Sequence, residues 1–242
     1  MTGLVTLTVV MPVYNEEAAI GATLEDLQRF VLDAVPGSDC IVVDDGSTDS
    51  TPIVLVRAAA IDPRITVIRQ PNAGHGAALL RGMERARGDW LFLLDSDRQI
   101  PVEAFADLWK VAHGHDGAFG VRAVRLDPTI RLALSRVIAG AIGGLFRISL
   151  RDANVPFKLF RRSLWLQARG LIPEETLAPS MFFAIFARVR GLDIVELEVP
   201  HAPRRSGVGS LRTFRLLRFC VQGFRQLLDF RRRLSKAEFN ES

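Results

Sequence analysis

The chain has 242 residues, 48% of them hydrophobic, so it is long enough to bury a substantial core. Cys40 and Cys220 lie far apart and no Cys/His spacing suits zinc, which argues against a disulfide or zinc scaffold and favours a reducing, cytoplasmic compartment. Residues 1–121 contain 9 Lys and Arg and 17 Asp and Glu, whereas residues 122–242 contain 22 Lys and Arg and 10 Asp and Glu. The second half is therefore strongly basic. It predicts a polyanionic partner such as nucleic acid, an anionic membrane or a phosphorylated substrate.

Short apolar strands alternate with helical patterns in the first half of the chain. Strands are predicted over residues 4–11, where Pro12 is expected to end the first strand, and over 40–43, 65–68, 90–94 and 118–121. Four helices are predicted between these strands. The first covers residues 16–35, and the second begins at Pro52 with Thr51 as its cap. The third follows the loop at 72–76 and ends at Arg87, and the fourth runs from 102 to about 113. This alternation predicts an α/β fold with a central, mostly parallel mixed sheet flanked by helices. Ligands of such sheets gather at the carboxyl ends of the strands.

The strand predicted over residues 90–94 is followed by acidic residues. Asp95, Asp97 and Gln99 are spaced two apart, so an extended backbone would direct their side chains to one side. Such hard oxygen donors suit Mg²⁺ or Mn²⁺ in a phosphate-handling site. Spacing alone leaves an alternative, in which Asp97 caps the helix after Pro101 and Asp95 is a solvated strand end.

Polar residues follow the other predicted strands as well. They are Tyr14, Asn15 and Glu16 after the first strand, Asp44 and Asp45 after the second, Asn72 after the third and Arg122 after the fifth. Because parallel strands end at the same edge of a sheet, we expect these residues to form one site.

Four motifs at these strand ends resemble glycosyltransferase family 2. They are VMPVYNEE at 10–17, VVDDGSTDST at 42–51, NAGHG at 72–76 with Gly88-Asp89, and DSDRQ at 95–99. The likeness is to the polyprenyl-phosphate (dolichol-phosphate mannose synthase-like) branch, and it continues through 120–122, Arg131 and Ser135, 152–158 and 204–207. It implies a GT-A (Rossmann-like) catalytic domain over residues 1–205, followed by a basic C-terminal helical extension over 206–242.

The resemblance also implies roles for individual residues. The residues that it assigns to the nucleotide-sugar donor are Pro12, Tyr14, Glu16, Asp45, Asn72 and Arg205. Asp95, Asp97 and Gln99 occupy positions of metal ligands, and Arg122 and Arg131 match positions that hold phosphates. Alternatives stay open: Asn15 or Glu16 could cap the first helix, Asp45 could only turn the chain, and Arg204 competes with Arg205.

The implied reaction is an inverting transfer of a sugar from a GDP- or UDP-linked donor to a polyprenyl or dolichyl phosphate. A phosphate acceptor is mostly ionised at neutral pH and needs no general base. A hydroxyl acceptor would need one, and Asp152 is then the candidate. Two motifs depart from the family, because Gly-x-Ser-Lys lacks its lysine at 207–211 and Asp-x-x-x-Gly-Phe-Arg reads DANVPFK at 152–158.

Other functions fit the sequence less well. A nucleotidyltransferase would need a Gly-rich, Lys-containing loop after the first strand, and a nucleic-acid-binding module would leave the acidic strand ends unexplained, so we expect no nucleic acid partner. The apolar stretch within residues 130–150 is interrupted by Arg136 and is too short to cross a membrane. Residues 211–233 fit either a helix on an anionic membrane surface or a terminal helix packed on the core. We expect a cytoplasmic protein, with peripheral attachment to the inner face of the membrane as an open alternative.

Overall fold

The computed structural model describes residues 6–123, 129–176, 178–202 and 213–241. Within the helices, the side chains of residues 129–133, 213–220 and 238–241 do not belong to the described set. The predictions made for Arg204 and Arg205, and for the side chain of Arg131, therefore lie outside the described residues.

A sheet of seven strands forms the centre of the described part of the chain. The strands are β1 (Leu7–Val13), β2 (Asp39–Asp44), β3 (Ile65–Arg69), β4 (Trp90–Leu94), β5 (Gly117–Arg122), β6 (Phe157–Arg161) and β7 (Ile194–Val199). They lie in the order β3-β2-β1-β4-β6-β5-β7, and β6 runs antiparallel to both of its neighbours while the other pairs are parallel. The predicted mostly parallel mixed sheet is confirmed.

Helices cover both faces of this sheet. They are α1 (Ile20–Leu27), α2 (Thr51–Ile61), α3 (His75–Arg85), α4 (Phe105–Ala112), α5 (Thr129–Phe146), α6 (Arg162–Ala168), α7 (Pro179–Val189) and α8 (Thr213–Glu241). One core lies between the sheet and α3, α6, α7 and α8, and the other lies between the sheet and α1 and α4. A π-helical turn, Gln28–Leu32, extends α1, and a short 3₁₀ turn, Val102–Ala104, precedes α4.

Strand β1 is buried along its whole length and contributes to both cores. Val9 belongs to the core under α1 and α4, and Val10 belongs to the opposite one, as the alternation of side chains along a strand requires. Pro12 lies inside the strand, opposite Val43, so the prediction that it ends the strand is wrong. The pairing with β2 continues through Val13, whose carbonyl accepts a hydrogen bond at 2.9 Å from the backbone N–H of Asp45, directly after β2.

Two predicted helix starts differ from the observed ones. Helix α1 begins at Ile20, because the carbonyl of Glu16 accepts from the backbone N–H of Ile20 and turns the preceding residues. The prediction that Thr51 caps α2 is also wrong. Its hydroxyl accepts instead from the backbone N–H of Glu16 at 2.9 Å, and this bond ties the loop after β1 to the start of α2.

Gly88 and Asp89 connect the starts of β4 and β1, at the ends of these strands that lie away from the predicted site. We call these two residues the strand clamp. The N–H of Gly88 donates to the Thr8 hydroxyl at 2.9 Å, and the carboxylate of Asp89 accepts from the backbone N–H and the hydroxyl of Thr6 at 3.0 and 2.9 Å. A Cβ atom on Gly88 would lie only 2.5 Å from the backbone nitrogen of Thr8. These two residues therefore hold the start of β4 beside β1.

The C-terminal helix α8 packs on the core through one face. Leu227, Phe230 and Leu234 are buried, whereas Val221 and Phe224 are about half exposed. Packing on the core is thus observed for this part of the helix. Within the described residues, none of the helices has the length and apolar character needed to cross a membrane.

Candidate active site

The polar residues that follow β4 and β5 meet in a cleft beside the start of β6. The polar residues that follow the first three strands are not part of its lining; they are Tyr14, Asn15, Glu16, Asp44, Asp45 and Asn72. Because β6 is antiparallel, its first residues stand beside the last residues of its two neighbours. The cleft has a volume of about 170 Å³. Its lining residues are Leu94, Asp95, Asp97, Gln99, Ile100, Arg122, Asn154, Val155, Pro156, Phe157 and His201. The cleft thus brings together the three predicted metal ligands and Arg122.

The acidic segment after β4 is a turn. The strand ends at Leu94, the backbone turns at Asp97, and Arg98 has a left-handed φ of 56°. The prediction that an extended backbone directs Asp95, Asp97 and Gln99 to one side is therefore wrong in its geometry. The turn nevertheless brings all three residues to the cleft wall.

Contacts with α1 hold this turn in place. The Thr23 hydroxyl donates to the carbonyl of Ser96 at 3.0 Å, and the guanidinium of Arg98 donates to the carboxylate of Asp26 at 2.6 Å. A non-glycine residue with positive φ is disfavoured by contacts of its Cβ atom with the backbone. The two bonds to α1 offset this cost and fix the direction of the acidic side chains.

Asp97 and Gln99 also interact with the backbone around them. Asp97 Oδ1 accepts from the backbone N–H of Gln99 at 3.1 Å. The turn after Pro101 has no side-chain cap, so the alternative that Asp97 caps it is wrong. Gln99 Nε2 lies 3.5 Å from the carbonyl of Ala202, which places its amide between the turn and the segment after β7.

His75 is a neighbour of the acidic turn that the sequence analysis did not select. It begins α3, and its Nε2 lies 2.8 Å from Asp95 Oδ1. Desolvation by the surrounding protein lowers the pKa of His75, but the carboxylates of Asp95, Asp97 and Asp45 raise it by more, so that the net shift is upward. The signal that could have identified it is its position in the glycine-rich loop 72–76, which follows β3 at the same edge of the sheet.

Asp45 is a buried carboxylate that organises the loop after β3. It is 2% exposed, and its oxygens accept from Gln70 Nε2 at 2.7 Å and from the backbone N–H groups of Ala73 and Gly74 at 2.9 and 2.8 Å. Both oxygens are therefore engaged within the protein. Asp45 shapes the loop that approaches the cleft, and a direct bond to a donor would have to share these oxygens.

The loops after β1 and β2 are locked together through Asn15. Its side-chain oxygen accepts from the backbone N–H of Thr48 at 2.8 Å, and its own N–H donates to the Ser47 hydroxyl at 3.0 Å. The alternative that Asn15 or Glu16 caps α1 is wrong, because this helix has no side-chain cap. The lock positions the neighbouring Tyr14, whose side chain is exposed.

Exposure divides the predicted donor-binding residues into two groups. Tyr14 and Asn72 are exposed, whereas Pro12, Glu16 and Asp45 are buried. The exposed pair is accessible to a ligand. The buried residues form the strand end and the loops that hold the exposed pair in place.

Arg122 and Asp152 form a partly buried ion pair in the wall of the cleft. Arg122 Nε and Nη2 donate to the two carboxylate oxygens of Asp152 at 2.7 and 2.9 Å. The two side chains are only 15% and 4% exposed. Such a bidentate pair orients both groups strongly. Acceptance of a proton by Asp152 would remove the negative charge that holds the Arg122 guanidinium, so the pair opposes a role of Asp152 as general base.

Most of this site lies in a stretch that matches a known family. Residues 8–173, more than half of the chain, match the model of Glycosyl transferase family 2. The chain belongs to this family. The resemblance of the motifs at the strand ends to glycosyl transferase family 2 is thereby confirmed.

Curated relatives within family 2 are named undecaprenyl-phosphate 4-deoxy-4-formamido-L-arabinose transferases. The protein from Pseudomonas aeruginosa (strain LESB58) is 33% identical over 214 residues, and that from Aeromonas hydrophila subsp. hydrophila is 31% identical over 204 residues. These matches cover 87% and 83% of this chain but 62% and 61% of the relatives. The chain thus spans less than two thirds of their length.

Solved structures of glucosyl-3-phosphoglycerate synthase from Mycobacterium tuberculosis have a similar fold. The complex with uridine diphosphate has a TM-score of 0.69 at 22% identity, and the match covers 93% of this chain and 80% of that one. A complex with Mn²⁺, uridine diphosphate and glucosyl-3-phosphoglycerate has a TM-score of 0.67 at 20% identity, with coverages of 93% and 79%. The predicted GT-A fold of this family 2 protein is confirmed.

Two further residues beside the cleft were not selected from the sequence. His201 lines the cleft after β7, and Lys158 lies on β6 next to the segment that contains Asn154. A lone histidine in a loop has no spacing pattern that marks it. Lys158 was noted only as the residue in place of the arginine of the Asp-x-x-x-Gly-Phe-Arg pattern, with no role assigned to it. Only the antiparallel placement of β6 brings Lys158 near the cleft.

Proposed function

We propose that this family 2 protein is an inverting glycosyltransferase that moves a sugar from a GDP- or UDP-linked donor to a polyprenyl phosphate, with a divalent cation as cofactor. The observation that carries the proposal is the acidic turn with Asp95 and Asp97, which borders a cleft together with Arg122. The acceptor class is supported by the relatives, whose names state transfer with undecaprenyl phosphate.

The donor set of the turn fits Mg²⁺ or Mn²⁺. Asp95, Asp97 and Gln99 offer carboxylate and amide oxygens, the hard ligands that both ions prefer. Within the described ranges, no group of three His, Cys, Asp or Glu side chains could hold a metal, which agrees with a site that water and donor phosphates complete. A bound cation supplies neutralisation of the negative charge on the leaving nucleoside diphosphate. The Mn²⁺ complex of the Mycobacterium tuberculosis enzyme supports this choice of cofactor.

The donor nucleotide is proposed to lie along the loops after β1, β2 and β3. Tyr14 offers an exposed aromatic face for the base, and Asn72 offers amide hydrogen-bonding groups for the ribose. Asp45 holds the backbone of residues 73–74, where the small residues allow close approach of a ribose or phosphate. Arg205 is proposed as a further donor ligand on the basis of the family resemblance.

The geometry around Asp152 favours a phosphate acceptor over a hydroxyl acceptor. A phosphate monoester has a second pKa near about 6, so it is ionised at neutral pH and needs no base. Asp152, the candidate base for a hydroxyl, has both oxygens engaged by Arg122. Arg122 and Arg131 are proposed to hold substrate phosphates, and Asp152 keeps the Arg122 guanidinium oriented toward the cleft.

We also propose that α5 and α8 rest on the anionic inner face of the membrane, where a polyprenyl phosphate is embedded. Among their described side chains, the large apolar ones that are exposed are Val137, Val221 and Phe224. Exposed arginines lie on the same C-terminal helix, among them Arg225, Arg231 and Arg232. Arginine stems can lie along the bilayer surface while their charges contact lipid phosphates.

The decisive experiment is a transfer assay with purified protein, Mn²⁺ or Mg²⁺, a panel of UDP- and GDP-sugars, and vesicles that contain a polyprenyl phosphate. One donor series should give a lipid-linked sugar. Asp95→Asn and Asp97→Asn should each lower turnover by about a hundredfold or more and weaken Mn²⁺ binding in calorimetry. Asp107→Asn, which changes an exposed carboxylate on α4, is the matched control and should behave like the unchanged protein.

Two results would contradict the proposal. One is the absence of any sugar-lipid with every donor, and the other is full activity of both acidic-turn variants. Membrane attachment is tested separately by flotation with anionic and neutral vesicles, where Phe224→Asp should reduce the bound fraction. Equal binding of both proteins would argue against α8 as the contact surface.

A further inference from the structure

Lys158 is a fully buried lysine beside the cleft for which the proposed reaction has no use. It lies in β6, opposite Leu93 of β4 and Phe119 of β5, and its exposure is 0%. Its Nζ atom lies 5.4 Å from the centre of the Phe119 ring. A lysine in such an apolar position needs a specific set of partners, because burial strongly disfavours its charged form.

The partners of Lys158 are three oxygen atoms. Nζ donates to the carbonyl of Ala153 at 3.1 Å, to the carbonyl of Val155, and to the hydroxyl of Ser180 at 2.9 Å. The Ser180 hydroxyl donates its own proton to the carbonyl of Val155 at 3.1 Å, so toward Lys158 it acts as an acceptor. All three N–H bonds of an ammonium group are therefore matched, whereas a neutral amine would lose one of them.

These bonds hold one segment of the cleft wall. Residues 152–156 are the last part of the connection between α5 and β6. They include Asp152, which pairs with Arg122, and Asn154, which lines the cleft. Lys158 binds this segment through the carbonyls of Ala153 and Val155. Its bond to the hydroxyl of Ser180 connects the segment to the start of α7.

We propose that Lys158 is a positioning residue that holds residues 152–156 in place through its ammonium group and thereby fixes the Asp152–Arg122 pair at the cleft. Its importance for sugar transfer rests on the proposed function, but the positioning itself does not. The charged groups that act on Lys158 are Asp152, Arg122, Asp95 and Glu196. Burial, together with the charge of Arg122, outweighs the three carboxylates and lowers the pKa of Lys158 to about 7. The bonds from the ammonium group to residues 152–156 therefore weaken as the pH rises above neutrality.

The test measures the Asp152–Arg122 pair directly. The Nε–H of Arg122, which donates to Asp152 at 2.7 Å, gives an NMR signal that Arg122→Lys assigns, and its exchange with water reports how firmly the pair is held. Lys158→Met should accelerate this exchange at least about tenfold at about pH 6, and the difference from the unchanged protein should narrow at about pH 8. Lys236→Met, at an exposed position of α8, is the matched control and should change nothing.

A second variant, Ser180→Ala, keeps the proposal testable if Lys158→Met does not fold. Ser180→Ala keeps the lysine but removes one of its three acceptors, and it should accelerate the Arg122 exchange several-fold at the lower pH. Unchanged exchange in folded Lys158→Met overturns the proposal, as does unchanged exchange in Ser180→Ala if the first variant does not fold. No sugar donor or acceptor enters these measurements, so a failure of the proposed function would leave their outcome untouched.

Discussion

Replacing Lys158 by methionine should change the way in which the stability of the protein depends on pH. Burial lowers the pKa of Lys158 from 10.5 to about 7. This difference of about 3.5 pH units corresponds to about 5 kcal/mol, at about 1.36 kcal/mol for each unit. Methionine has a similar length and does not titrate, so the variant lacks this contribution.

The sign of the effect follows from the protons that each state binds. Between pH 7 and 10.5 the unfolded chain keeps the Lys158 proton while the folded protein releases it. The free energy of unfolding therefore gains a contribution that rises with pH across this window and is constant below it. The deprotonation that loosens residues 152–156 thus also relieves the cost of a buried charge.

Urea unfolding of both proteins measures this contribution. Relative to Lys158→Met, the unchanged protein should gain about 2–3 kcal/mol of stability between about pH 7.5 and about pH 9.5. Other titrating groups are common to both proteins and cancel in the comparison. Lys236→Met should follow the unchanged protein at every pH. Parallel stability curves for the unchanged protein and Lys158→Met would refute the reasoning, since they would mean that Lys158 keeps its ordinary pKa.

Two further substitutions test the ion pair and the strand clamp, both by urea unfolding. Asp152→Asn removes the negative charge from this partly buried ion pair and should lower the free energy of unfolding by about 2 kcal/mol or more. Arg151→Gln, which removes an exposed ion pair, should have a much smaller effect, and equal losses would contradict this interpretation. Gly88→Ala should lose about 1–3 kcal/mol, because its Cβ atom would lie 2.5 Å from a backbone nitrogen of β1. Gly114→Ala, with no atom within 4 Å of its Cβ, should stay within about 0.5 kcal/mol, and a similar loss in both variants would argue against crowding at the clamp.

The first five strands could be predicted because their signals are local. Each is a short apolar run followed by a turn, and the run at Trp90–Leu94 agrees with β4 at both ends. Strands β6 and β7 were not predicted. Lys158 interrupts the apolar pattern of β6, and β7 contains the acidic residues Glu196 and Glu198. Both strands depend on partners distant in sequence, which no local pattern reveals.

The candidate site shows the same division. The meeting of Asp95, Asp97, Gln99 and Arg122 could be predicted, because parallel strands end at a common edge. The path of the acidic turn could not, since it depends on a left-handed Arg98 and on contacts with α1. The hydrogen bonds that Asp45 accepts from the loop after β3 could not be predicted either. Bonds between a side chain and a backbone distant in sequence leave no spacing pattern.

The reversed direction of β6 gives residues 152–156 of the cleft wall a structural support that is separate from that of the loops after β1, β2 and β3. Tyr14, Asp45 and Asn72 depend on loops that follow parallel strands, whereas residues 152–156 enter from the opposite chain direction and are fastened from below by Lys158. Substitutions in one support need not disturb the other. Under the proposed function, an altered preference for the acceptor could therefore be selected, in nature or in the laboratory, while binding of the nucleotide donor is retained.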